Sequence, residues 1–182
     1  MSSNILTFAG SNSRNSINKK LATYVAKQTE NTVLTVVDLN DYELPLYSPD
    51  MEKESGIPET VIKFKSLITE SDGIVLSLPE YNGSYTAVFK NLFDWLSRID
   101  MKVWQEKPML LMATSPGKRG GAGVLQTAID AFPHFGGNIV ADFSLPQFLD
   151  NFQAGEIINQ EKLVELEEKV SLFQSAINQI TK

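Results

Sequence analysis

Cysteine is absent from the 182 residues, and histidine occurs once. The first absence excludes disulfides, thiolate nucleophiles and cysteine-based zinc or iron–sulfur sites. The lone His134, set in Phe132-Pro133-His134-Phe135, reads as structural rather than catalytic. No cluster of histidines and carboxylates has metal-ligand spacing, so no metal is expected. There is no G-x-S-x-G elbow, which argues against an acyl-transfer triad. No apolar run approaches the ~18 residues of a membrane helix, so no membrane partner is expected. The opening MSSNILTFAG lacks the basic start of a secretory signal and its long apolar run, and a cytoplasmic location is the expectation. The net charge of −6 disfavours nucleic acid or an anionic membrane surface as the main partner. A local basic pocket would nevertheless suit Arg14, Lys19 and Lys20. With so few groups fit for difficult chemistry, a cofactor is expected to carry the reaction, and no catalytic residue is named.

What is present alternates. Short apolar runs at Ile5–Ala9, Val33–Val37, Gly73–Leu78, Met109–Thr114 and Asn138–Ala141 read as strands. Helical patterns lie between them, near Ser16–Thr29, Pro58–Glu70, Ala87–Arg98 and Gly123–Phe135, with a last one near Gln160–Ile180. Five strands alternating with five helices imply an α/β fold, an open parallel sheet covered on both faces. No repeat or long linker interrupts it, so residues 1–182 are read as a single domain. The last helix carries Leu163, Leu166, Val170, Phe173, Ile177 and Ile180 at spacings of three and four. That stripe suits a helix covering the sheet better than a coiled coil.

Ligands of such sheets sit beyond the carboxyl ends of the strands. The loops there are GSNSRNSIN after strand one, LPEYNGSYT after strand three and TSPGKRGGAG after strand four. In the first loop, the N-terminus of a helix offers unpaired N–H groups and the positive end of its dipole. Ser11, Ser13, Ser16 and Asn18 add side-chain donors, and Arg14 adds charge. This set suits a terminal phosphate monoester, which presents several acceptor oxygens. A pyrophosphate would call for the glycines of G-x-G-x-x-G, which are missing, as is a Walker A motif. The residues alone leave the loop balanced between helix capping and phosphate binding. Asp38, at the end of strand two, is read as a loop or cap residue rather than a ribose ligand.

The second loop exposes Tyr81 and Asn82 in a turn that could face a planar ligand or be an ordinary turn. The helix after it carries two apolar stripes: Val88, Leu92, Trp95 and Leu96, and Tyr85, Phe89 and Phe93. So wide an arc favours a homodimer interface over burial within one chain. The third loop could be a flexible surface loop, or its glycines around Lys118 and Arg119 could equally let backbone N–H groups approach a ligand edge.

Together these loops resemble those of the NAD(P)H-dependent FMN reductases, a family of flavodoxin-like fold that includes quinone, azo-dye and chromate reductases. The resemblance covers most of the chain. Its most specific segment is PEYNGSYTAVFKNLFDWLSR, Pro79 to Arg98, where PEYN leads into KN-x-x-DW-x-S-R. SPGKRGG resembles the family's flavin-edge loop, and DLNDYELPLY from Asp38 the stretch after its second strand. The first loop follows G-S-x-R-x-x-S-x-N, except that Ser13 takes the arginine's place and Arg14 follows.

The resemblance implies a three-layer sandwich with strand order 2-1-3-4-5. It implies FMN, with its phosphate held by Ser11, Ser16 and Asn18, helped by Ser13 or Arg14. Pro79, Glu80, Tyr81 and Asn82 would line the isoalloxazine, and Ser115, Gly117, Gly120 and Gly121 would border its other edge. NADPH or NADH would deliver hydride, and a small-molecule acceptor (a quinone, azo compound or free flavin) would leave with the electrons in a ping-pong cycle. Dimers or tetramers would form through the helix Ser84–Arg98. The alternative is a flavodoxin-type electron carrier with no nicotinamide turnover.

Overall fold

The computed structural model describes residues 2–180. Strands β1 (Ser3–Ala9), β2 (Thr32–Val37), β3 (Gly73–Leu78), β4 (Pro108–Thr114) and β5 (Asn138–Leu145) form one sheet in the order β2-β1-β3-β4-β5. Every pairing in it is parallel. This is the expected 2-1-3-4-5 order. Strands β3 and β4 are buried along their whole length, as their nearly continuous apolar character requires. Strand β2 is an edge, with Val33 and Val36 exposed. β5 runs four residues beyond the expected Ala141, because Asp142 to Leu145 continue its alternation, with Phe143 and Leu145 buried, and a register irregularity lies at Met109/Leu110.

Helices α1 (Ile17–Ala26) and α7 (Gln160–Ile180) cover one face, packing Leu21, Val25, Phe173 and Ile177 on Ile5, Val75 and Leu110. The α7 stripe is therefore a sheet-covering face. Helices α3 (Glu59–Glu70), α4 (Ala87–Ile99) and α5 (Ala122–Ala131) cover the other. α5 is shorter than expected, since Pro133 tightens its end into a 3-10 turn, Phe132–Phe135. Three small elements were not anticipated: α2 (Pro49–Ser55), α6 (Phe148–Asn151) and the hairpin of β6 (Phe152–Gln153) and β7 (Glu156–Ile157).

Both stripes of α4 are covered inside the chain, contrary to the expectation that they need a partner copy. Over Trp95 lies an irregular strap: Tyr47 packs edge-on at 5.0 Å, and the indole N–H donates to the Pro45 carbonyl at 2.9 Å. Asn91 clamps the same strap, donating to the Pro45 carbonyl and accepting from the Tyr47 N–H. On the other side Phe93 meets Phe135 at 4.9 Å, Phe132 at 5.5 Å and Trp104 at 5.7 Å. Trp95 and Phe89 are essentially inaccessible, so truncating Trp95 to alanine costs about 3–5 kcal/mol. The half-buried Tyr85 closes this aromatic wall, and burial pushes its phenol up to about 12, so it stays neutral.

Candidate functional site

Beyond the carboxyl ends of β1, β3 and β4 lies a cleft of about 280 Å³. Its walls are Ser11, Ser13 and residues 15–18 on one side, with Pro79 to Tyr81 and Thr114 to Pro116 on the others. Of the expected site residues, Ser11, Ser13, Ser16, Asn18, Pro79, Glu80, Tyr81 and Ser115 meet there. His134 is exposed just before the start of β5, at the opposite end of the strands.

The first wall holds a set of donors. Ser16 is the N-cap of α1: its Oγ accepts from the Lys19 N–H at 3.1 Å. Ser11 Oγ likewise accepts from the Ser13 N–H at 3.1 Å. A hydroxyl that accepts internally keeps its own proton to give. The Ile17 and Asn18 N–H groups, in the first turn of α1, have no hydrogen-bond partner among the described residues. Capping and anion binding are thus complementary here, since Ser16 satisfies one orphan amide and leaves two for a ligand. The donor set fits a phosphate monoester.

Asn18 does something other than what was expected of it. Its side chain, only 2% exposed, is turned into the sheet. Oδ1 accepts from Ser77 Oγ at 2.7 Å and from the Thr114 N–H at 3.1 Å, while Nδ2 donates to the Thr114 carbonyl at 3.1 Å. The amide therefore ties α1 to the ends of β3 and β4, and its backbone N–H is the group left without a partner among the described residues. Thr86 makes a comparable tie, donating to the Gly10 carbonyl at 2.6 Å while capping α4. Gly10 permits this approach: a Cβ there would lie 3.0 Å from Leu78 and 3.1 Å from Phe89. Ser77, Thr86 and Thr114 escaped the sequence reading. The signal for Thr86 was its place just before an apolar helix, whereas small hydroxyls at strand ends carry none.

The second wall is a type I′ turn. Tyr81 and Ser84 exchange both backbone hydrogen bonds across Asn82 and Gly83, whose φ values are 53° and 79°. Asn82 is thus a turn residue at the tip, and Tyr81, 54% exposed, is the ring the turn presents. Glu80 points its carboxylate at α5, where Oε2 accepts from the Gly123 and Val124 N–H groups at 2.9 and 3.1 Å. It latches the second loop to the third.

In the third loop Gly117 is exposed, but Gly120 and Gly121 are buried. Gly121 caps α5 at φ 78°, where a Cβ would meet Ala113 at 2.9 Å. The Gly120 carbonyl is taken by Ser144 Oγ. These two glycines shape the loop from beneath, so the rim a ligand can reach is Ser115 to Gly117. Arg14 is exposed and opens onto a neighbouring groove rather than the cleft, with no ion pair among the described residues. Asp38 caps the 3-10 turn Leu39–Asp41 and accepts from Lys19 Nζ at 2.6 Å, which holds its carboxyl below the usual value of 3.8. It is the cap residue expected. Among the described residues no group of acidic and histidine side chains could hold a metal ion, and no helix is long and apolar enough to cross a membrane.

Residues 3–150 match the family model described as NADPH-dependent FMN reductase. A quinone reductase of Escherichia coli is 30% identical, over 97% of this chain and 96% of that protein. A 2-hydroxy-1,4-benzoquinone reductase of a Burkholderia species is 39% identical over 67% of this chain and 66% of its own length. Among solved structures, FerB, a flavoenzyme NAD(P)H:(acceptor) oxidoreductase from Paracoccus denitrificans, superimposes with a TM-score of 0.77. It is 28% identical, and the match covers 97% of this chain and 98% of that one.

Proposed function

This chain belongs to the NADPH-dependent FMN reductase family, and from that premise we propose that it reduces a quinone-type small molecule in a ping-pong cycle at the cleft above. The protein is an NAD(P)H-dependent oxidoreductase that uses FMN. The observation that carries the finer reading is the set of unspent donors at α1: two free amides and two hydroxyls whose accepting sides are already engaged.

Ser11, Ser16 and the Ile17 and Asn18 amides would hold the FMN phosphate, with Ser13 or Arg14 adding to it. Pro79, Tyr81 and the backbone of Glu80 would flank the isoalloxazine on one side, and Ser115 to Gly117 on the other. Asn82, Gly120 and Gly121 set the loops that do this. Bound FMN supplies the redox chemistry, taking a hydride equivalent from NAD(P)H and giving electrons to a quinone, azo compound or free flavin. The chain contributes position and a stacking surface at Tyr81. One shared face obliges the nicotinamide to leave before the acceptor enters, hence ping-pong kinetics. A cytoplasmic location follows from the need for NAD(P)H.

A homodimer or tetramer through Ser84–Arg98 belongs to this reading on family resemblance. Its support in the fold is a groove of about 390 Å³ between α4 and the strap, where half-buried Val88 faces Leu46, 80% exposed. Light scattering on wild type and Leu46→Glu tests it.

The decisive experiment is NAD(P)H oxidation by FMN-loaded protein against quinones, azo dyes and free FMN. Turnover with parallel double-reciprocal plots is expected. Intersecting plots would remove the shared site. FMN binding without coenzyme consumption would point to an electron carrier, and failure to take up FMN would end both readings.

A further inference from the structure

Beside α1 runs a larger cavity, of about 700 Å³, walled on its other side by α6 and the β6–β7 hairpin. Its charge opposes that of the molecule. The chain carries a net −6, yet four of the side chains lining this groove are basic and none is acidic. Lys19 is engaged by Asp38. Arg14, Lys20 and Lys27 are exposed and make no ion pair among the described residues. Lys20, Tyr24 and Lys27 follow one another at spacings of four and three, so they share a single face of α1. The apolar wall is aromatic. Tyr24 meets Phe152 edge-on at 5.3 Å, and Phe152 stacks on Phe148 at 4.7 Å.

Unpaired cations in a row beside aromatic rings select a ligand with a phosphate and a planar ring system. The groove also adjoins the cleft, since Ser16 lines both. A ligand that starts over the cleft can end beside α1. We propose that this groove holds the adenosine 2′-phosphate end of NADPH and makes the protein prefer NADPH to NADH. The proposal rests on the reductase reading above. The two coenzymes differ only in that phosphate monoester, a dianion near neutral pH, and Lys20 and Lys27 are the cations placed to meet it.

The test is equilibrium binding, which needs no turnover. Calorimetry on the FMN-loaded protein compares 2′,5′-ADP with 5′-AMP, in wild type and in the Lys20→Ala/Lys27→Ala double variant. The 2′-phosphate should tighten binding about tenfold or more in wild type, equivalent to about 1.4 kcal/mol. The double variant should lose that difference while keeping its melting temperature and FMN affinity. Equal binding of the two nucleotides, or an unchanged difference in the variant, overturns the proposal. So does an oligomer that the variant dissociates without any nucleotide binding, since a second copy would then occupy the groove. Oxidation of both coenzymes with equal KM and no 2′,5′-ADP preference removes the groove assignment and leaves the reductase standing. Binding of 2′,5′-ADP with no oxidation of either coenzyme removes the reductase reading and the NADPH assignment together.

Discussion

Two helices begin at the same edge of the sheet with the same dipole and opposite provision for it. At α1 the cap is a serine, and two amides of the first turn lack partners among the described residues. At α5 every amide of the first turn is served. Ala122 donates to the Arg119 carbonyl, Leu125 to that of Gly121, and Gly123 and Val124 to the Glu80 carboxylate. One end has its anion built in; the other is left with donors to spend. A helix N-terminus is therefore not an anion site by virtue of being one, and what decides is which donors the fold leaves over.

Making α1 resemble α5 should break the comparison with the largest effect. Ser16→Glu puts a carboxylate where the proposed site would hold the phosphate, and like charges about 4 Å apart repel by several kcal/mol at an effective dielectric of about 20. FMN affinity should fall at least about 100-fold, or about 3 kcal/mol, in a fluorescence titration. The loss of a serine cap alone costs only about 1 kcal/mol of stability. A melting curve therefore separates the two effects, and unchanged affinity would sink the phosphate assignment.

Next in size is the anchor of α1. Asn18→Ala strands the Ser77 hydroxyl and both backbone groups of Thr114 in a buried place. A cost of about 2–4 kcal/mol in urea unfolding is expected. Its counterpart at the other helix is milder. Glu80→Ala opens two amides near the surface, costing about 1–2 kcal/mol, and Glu80→Gln should recover part of that through its remaining carbonyl oxygen. If both Glu80 variants unfold like wild type, the carboxylate is not what holds the two loops together.

The same pair of helices shows what could be read from the chain. The five strands were legible because β3 and β4 are nearly continuous in apolar character, whereas their order came with the resemblance of the loops and not from the apolar runs. Donors at α1 were legible as residue types, since Ser16 and Ser11 keep their roles wherever the loop folds. The side-chain partners of Asn18 were not legible, because nothing local says that an amide will meet Ser77, 59 residues away. Glu80 presents the same difficulty, since its partners lie 43 and 44 residues on, across a strand and a helix. The α4 stripes failed for a related reason. Their cover comes from an irregular strap and a 3-10 turn, which carry no periodic pattern.

The smallest effect concerns the acid that pairs with a lysine of α1. Asp38 takes Lys19 at 2.6 Å and so withdraws one cation from the groove. Lys19 holds the Asp38 carboxyl below 3.8, so the charged form is favoured by folding. Its contribution is accordingly complete above that unfolded value and drains away as pH falls through the lower folded one. Because both partners are about a third exposed, screening limits the pair to about 0.5 kcal/mol. Asp38→Asn should therefore be slightly less stable than wild type at pH 7 and indistinguishable from it near pH 2. It should also bind a phosphate-bearing ligand marginally tighter, since Lys19 is released toward α1. Unfolding curves that stay separated at low pH would show that Asp38 acts through its cap on Asn40, which asparagine keeps in part, and not through Lys19.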